Sequence, residues 1–304
     1  MKKLGNIFLS SLLLVSTQTM ALTYLIPATN QALIGELQYG SAQPNDTVVT
    51  MAERYDVGFN EMENANPHLN MVQGFGTGTV LKIPSQHLLP EQGRKGIVVN
   101  LPEMRMYYYP EGTNEVRTYP IGIGKIGKTI PIAKTTITRK TMNPTWIPTP
   151  SIREFNLEQG VILPRIMPPG PDNPLGKYGI YMGIPTYLIH STIFPESIGR
   201  RASFGCVRMY ESDIKEFFPA MKKGIPVIII NASVKTGWQN DRLYMEAYKP
   251  LEEHVAEPDA SLPGMVHMII DQTKDQKTLI DWQLVSYINK ERDGMPHEIG
   301  MKME

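Results

Sequence analysis

The chain has 304 residues, enough for two or three small domains with buried cores. Its 30 basic and 30 acidic side chains cancel, and no basic run stands out, so nothing draws it to nucleic acid. It holds a single cysteine, and its histidines lack metal-ligand spacing, so no bound metal is implied.

At the N-terminus, Lys2 and Lys3 precede an apolar core at residues 7–15. Thr19-Met20-Ala21 then offers a cut after Ala21, the pattern of an export signal. That core is too short to span a membrane, and no cysteine follows the cut to carry a lipid. Residues 22–39 form an apolar-rich lead-in broken by Pro27 and Gly35. Residues 38–84 read as a strand–helix–helix–strand module. Asn45-Asp46-Thr47 caps a helix with Val48, Met51, Ala52 and Tyr55 on one face. Phe59, Met62 and Ala65 mark a second helix ending at Asn66-Pro67, and Gly74, Gly76 and Gly78 precede a strand at 79–83. Residues 85–96 read as a linker.

The pattern then turns to β. Residues 97–99 and 104–109 form a hairpin about Leu101-Pro102-Glu103, followed by strands at 116–123 and 130–139. Gly122, Gly124 and Gly127 are spaced like a phosphate loop, but no Gly-Lys-Ser/Thr follows and no helix opens there, which excludes nucleotide binding. Proline-rich loops at 143–150 and 164–174 are of the kind that shape a cleft. Residues 180–189 read as one buried strand leading to His190. Ser212 is expected to cap a helix running to Lys223, with a buried strand at 226–230 beyond Gly224. A strand at 241–245 and helices at 263–270 and 278–290 complete the chain, with Ile280, Leu284 and Ile288 on one face of the last helix.

The candidate chemistry lies at residues 187–209. Cys206 follows Ser203 and Gly205 and precedes Arg208, a small, polar and basic setting. Exported proteins usually pair their cysteines, so one left over is a free reactive thiol or an intermolecular bridge. The plainer alternative is a small buried hydrophobe beside a structural histidine. The thiolate is the attacking form, and an imidazole at His190 can take its proton and return one to a leaving amine. Gly205 lets the backbone come close to a substrate, and the Gly205 and Cys206 amides can face an oxyanion. Arg208 can grip a carboxylate with two donors. The helix that follows favours a thiolate at its N-terminal end.

His190-Ser191 followed by Ser203-Phe204-Gly205-Cys206-Val207-Arg208 resembles the active-site signature of the L,D-transpeptidases with a YkuD-type catalytic domain. Pro168 to Gly176 with Tyr178, and Lys140 to Pro148 around Trp146, resemble the Gram-negative branch. The resemblance implies a mainly β fold with α: a signal peptide at 1–21, a LysM-like βααβ module within 22–90, a β-rich catalytic domain at 95–231 and a C-terminal α/β extension at 232–304. The module's resemblance rests on Asp46-Thr47, Ala52, Tyr55, Ala65-Asn66-Pro67 and Leu81-Lys82-Ile83-Pro84. It implies a periplasmic enzyme acting on peptidoglycan stem peptides and glycan, with no cofactor. Cys206 is the expected nucleophile and His190 the base. Ser191, Ser203, Phe204, Gly205 and Arg208 form the oxyanion and substrate group. The acceptor is a stem amine or a lysine of an outer-membrane protein. Two rivals are an L,D-carboxypeptidase, which releases D-alanine to water, and a non-catalytic peptidoglycan-binding protein. Two residues depart from the family pattern: Phe204 replaces a histidine, and Ala133 replaces a turn glycine.

Overall fold

A computed structural model describes residues 22–71 and 74–303. The export signal read at residues 1–21 lies outside the described residues. Among the described residues no helix is long and apolar enough to cross a membrane.

The centre is a nine-stranded sheet in the order Leu22–Leu25, Glu115–Pro120, Arg105–Tyr109, Gly96–Asn100, Pro226–Ile230, Ala133–Met142, Tyr178–Met182, Leu188–Ser191, Val207–Met209. Its middle strands are buried on both faces. Ile97, Val99, Met106 and Tyr108 enter one apolar cluster, while the alternating Val98, Tyr107 and Tyr109 enter another on the opposite side. Double burial is why these stretches are nearly unbroken apolar runs in the sequence. The helix Glu211–Ala220 covers the first face through Ile214, Phe217 and Phe218, and the Phe217 ring stands edge-on to Tyr108 at 5.4 Å. It starts one residue before the expected Ser212, with Tyr210 at its N-cap, and stops short of Lys223 because Pro219 lies in its last turn.

The expected strand over 180–189 is two strands. Tyr178–Met182 and Leu188–Ser191 pair antiparallel, with Ile180 opposite Ile189. Pro185 and the left-handed Thr186, φ +71°, turn the chain between them. The helix expected over 278–290 also divides. Thr278–Ile280 pairs with His297–Lys302, and the helix Trp282–Glu291 begins after Asp281, whose carboxylate accepts from the Gln283 and Leu284 amides.

The βααβ module consists of Gln38–Ser41, Val48–Arg54, Phe59–Ala65 and Val80–Ile83, with the two strands paired antiparallel. Thr47 and Thr50 form a reciprocal cap on its first helix, a device worth about 1 kcal/mol. Met51, Ala52, Met62, Leu81 and Ile83 fill its core. Asn66 ties the second helix to the last strand: its Nδ2 donates to the Lys82 carbonyl and its Oδ1 accepts from the Lys82 amide, both at 2.8 Å. The lead-in behaves differently, because Leu22–Leu25 extends the central sheet against Glu115–Pro120.

The module docks on the central unit around Gly199. The Phe59 and Asn60 amides donate to the Ile198 and Gly199 carbonyls. A Cβ on Gly199 would lie 2.3 Å from the Phe59 nitrogen, so only glycine permits this approach. Arg200 stacks on the Phe59 ring at 3.4 Å, and the Tyr210 hydroxyl donates to the Val57 carbonyl at 3.1 Å. The C-terminal unit has its own four-stranded sheet, which the helices Leu262–Thr273 and Trp282–Glu291 pack against. Residues 85–96 are no loose linker: His87–Leu88 pairs with Leu33–Ile34 and is buried.

Candidate active site

A parallel strand pairing sets the strand that holds His190 beside the one that follows Cys206. Leu188–Ser191 runs beside Val207–Met209 with His190 opposite Arg208. Side chains alternate faces along a strand, so His190 and Arg208 share a face. Parallel strands require a long crossover. Here it carries the short turn Pro195–Ser197 and the strand Arg201–Ser203, which rests on Ile123–Gly124. This is also the segment on which the βααβ module sits.

Ser203 locks the turn around the thiol. Its buried hydroxyl accepts from the Gly205 amide at 3.0 Å and donates to the Cys206 carbonyl at 2.6 Å. Gly205 has φ +108°, and a Cβ there would lie 2.4 Å from the Tyr187 ring and 2.9 Å from the Lys128 carbonyl. The Gly205 amide is thus bonded to Ser203 here, and the residue's positive φ serves the shape of the turn.

Cys206 is half-buried, and its thiol donates to the Thr186 carbonyl at 3.8 Å. Burial pushes the thiol pKa up, against the Leu188 amide and the Arg208 guanidinium, which favour the thiolate. His190 is buried, with Nδ1 2.5 Å from the Ser191 carbonyl oxygen. A carbonyl can only accept, so Nδ1 carries the hydrogen and Nε2 keeps its lone pair. Burial first, and then Arg208, bring the imidazole pKa down to about 3, against the Ser191 and Leu175 carbonyls. The resting pair is thus a thiol and a neutral imidazole. Among the described residues the sulfur's hydrogen bond goes to Thr186 rather than to His190, a looseness common before substrate binds.

The other expected residues divide by role. The Ser191 hydroxyl donates to the Leu175 carbonyl and accepts from the Tyr178 amide, both at 3.1 Å, so it holds the preceding loop while its carbonyl sets the imidazole. The Arg208 guanidinium lies 5.9 Å from the Phe194 ring centre. Its Nε is buried without a hydrogen-bond partner among the described residues. Phe204 stands edge-on to Phe155 at 5.2 Å, with the Lys125 ammonium 3.7 Å from its ring centre and 3.2 Å from that of Phe155.

Thr186, Tyr187, Lys125 and Phe155 were not singled out as site residues from sequence. Lys125 and Phe155 sit far from Cys206 in the chain, and no local spacing marks them. Asn173 lies within the quoted proline-rich run: its Nδ2 donates to the Pro144 and Pro168 carbonyls and its Oδ1 accepts from the Leu175 amide, joining the two proline-rich loops. A cleft of about 130 Å³ lies elsewhere, between the module and the C-terminal unit, lined by Glu63, Met104, Tyr248 and Lys249 among others and by none of the site residues.

Outside the site, His87, Glu103 and Glu246 offer atoms within 4.8 Å of one another, the spacing of a metal site. The Lys235 ammonium lies 2.8 Å from Glu103 and 3.0 Å from Glu246, so a cation already fills that position.

The model of the L,D-transpeptidase catalytic domain, YkuD, matches residues 94–229. The chain is 37% identical to the Probable L,D-transpeptidase YcfS of Escherichia coli K12, over 91% of this chain and 88% of that protein. It is also 37% identical to the Probable L,D-transpeptidase YbiS of the same strain, over 97% of this chain and 98% of that protein. The NMR structure of the catalytic domain from an E. faecium L,D-transpeptidase is 23% identical over 46% of this chain and 100% of that one, with a TM-score of 0.36. Identity sustained along nearly the whole length of the two Escherichia coli relatives places this chain in the L,D-transpeptidase family.

Proposed function

We propose that this protein is a periplasmic peptidoglycan L,D-transpeptidase that works through a thioester on Cys206, exported by a signal peptide cut after Ala21. The observation that carries the reading is the imidazole: its hydrogen is fixed on Nδ1 by the Ser191 carbonyl, and it stays neutral across the physiological range. It therefore presents a lone pair for the thiol proton. The donor is a tetrapeptide stem. Sγ attacks the carbonyl at the L-centre of diaminopimelate while Nε2 takes the thiol proton. The Cys206 amide donates to the oxyanion. The bond to D-alanine then breaks, Nε2 returns the proton to the departing amine, and a thioester remains. An acceptor amine attacks that thioester, its proton passes through Nε2 to sulfur, and a new amide forms. Arg208 grips a stem carboxylate. The acceptor is a second stem or a protein lysine, and the LysM-like module holds the glycan.

The test is intact-mass analysis after incubation with tetrapeptide muropeptides, with and without an added amine acceptor. The wild type gains the mass of the acyl donor on Cys206, releases D-alanine and forms a cross-linked product only with the amine. Cys206→Ala forms no adduct. D-alanine release by Cys206→Ala at the wild-type rate overturns the thioester route, and tripeptide as the sole product despite abundant amine makes the enzyme a carboxypeptidase.

A further inference from the structure

The Leu22 nitrogen opens the edge strand Leu22–Leu25 and donates to Asp56 Oδ2 at 3.0 Å. Asp56 follows the first helix of the βααβ module and is 5% exposed. Close enough to act on it is Asp213, 4% exposed, in the first turn of the helix that follows the cysteine strand. Asp56 Oδ1 and Asp213 Oδ2 are both buried with no hydrogen-bond partner among the described residues.

Two buried acids side by side need a cation or must stay protonated. The charges around them are already committed. Arg105 reaches the Asp56 carbonyl with one nitrogen, but its guanidinium is bound by Glu61 through contacts of 3.0 and 2.9 Å. Glu216 is paired with Arg117 at 3.1 Å. Glu53, Tyr24, Tyr119 and Tyr210 also surround the pair and contribute no positive charge. Burial above all raises both acids, Asp56 to about 6.

We propose that cutting the export signal after Ala21 turns the Leu22 nitrogen into the cation that the Asp56–Asp213 pair lacks. In that hydrolysis, catalysed by a signal peptidase of the export pathway, water gives its hydroxyl to the Ala21 carbonyl and a hydrogen to the Leu22 nitrogen. The free amine, with an ordinary pKa of about 8, takes up another proton at neutral pH. One neutral donor becomes three charged ones at the same place. Processing then fastens three parts at once: the edge strand through Leu22, the module through Asp56 and the helix after the catalytic strand through Asp213. The inference rests on the export reading and not on the thioester chemistry.

Two measurements test it. N-terminal sequencing of the protein recovered from the periplasm should read Leu22 first; another first residue overturns the proposal whatever Cys206 does. The mature chain starting at Leu22 is then compared with one that keeps Ala21 in front of it. The Leu22 form should melt higher by roughly 4–8 °C at pH 7. A paired amine titrates above its unfolded value, so the advantage is full below pH ~8 and is lost as pH rises through the higher folded value. It should vanish in Asp56→Asn, a side chain that tolerates the left-handed backbone there, φ +54°. Equal melting of the two forms, or a difference that survives Asp56→Asn, refutes the proposal. Acylation of Cys206, measured in both forms, reads the chemistry separately.

Discussion

The thiol of Cys206 rests protonated because burial outweighs the help of Arg208 and the Leu188 amide. His190 rests neutral because burial and the same Arg208 oppose its protonation. One guanidinium therefore acts in two ways: it discourages imidazolium before substrate arrives, and it favours the thiolate once a proton has left. This predicts the pH profile of alkylation by iodoacetamide. Only thiolate reacts, so the rate should climb about tenfold per pH unit and keep climbing past 9, the ordinary thiol value. A plateau reached between pH 5 and 7 would show a preformed thiolate–imidazolium pair and refute the neutral resting state. The cysteine and histidine were legible in the sequence because an unpaired thiol behind an export-type N-terminus is unusual and the motif around it is specific. The fate of the Gly205 amide was not legible, since it depends on which way the Ser203 hydroxyl points.

At the scale of elements, apolar runs hid the turns. Residues 180–189 look like one strand because Ile184 stays packed against the core through the bend. The only local marks of the break are Gly183 and Pro185, and the bend is what sets the Thr186 carbonyl against the sulfur. The helix Pro150–Glu158 was missed for the opposite reason: it buries no residue, so no apolar stripe announces it. It reaches the site through Phe155, which meets Phe204 and Lys125. Phe204, the departure from the family pattern, thus serves as the seat for that helix. An aromatic pair and a cation over a ring are worth about 1–2 kcal/mol together. Phe155→Ala should accordingly raise amide hydrogen exchange across residues 150–160 by roughly tenfold while shifting the melting temperature by less than about 1 °C. Unchanged exchange there would mean that the ring contacts do not hold the helix.

At the scale of the whole molecule, a buried charge cluster that no stretch of sequence contains joins the C-terminal sheet to the central hairpin and to residues 87–88. Lys235, from the C-terminal sheet, donates to Glu103 of the central hairpin at 2.8 Å and to the Leu88 carbonyl at 2.7 Å, and lies 3.0 Å from Glu246. The Tyr107 and Tyr248 hydroxyls donate to Glu103 and Glu246, and the Leu88 amide donates to Glu246 at 2.7 Å. Burial above all keeps the adjacent His87 uncharged. One ammonium therefore stands against two carboxylates, and neutral donors stabilise the second negative charge. Read locally, residues 85–96 look like a linker, because each polar residue of the cluster finds its partners in a distant segment. Removing the cation leaves both carboxylates buried and unpaired, a loss of about 3–5 kcal/mol. Lys235→Met should lower the melting temperature by roughly 10 °C. Adding Glu246→Gln removes one of the stranded charges and should recover part of that loss, as expected for residues in one network. A double variant no more stable than Lys235→Met alone would show that the lysine acts through its packing, and that charge neutralisation does not hold the C-terminal sheet to the central hairpin.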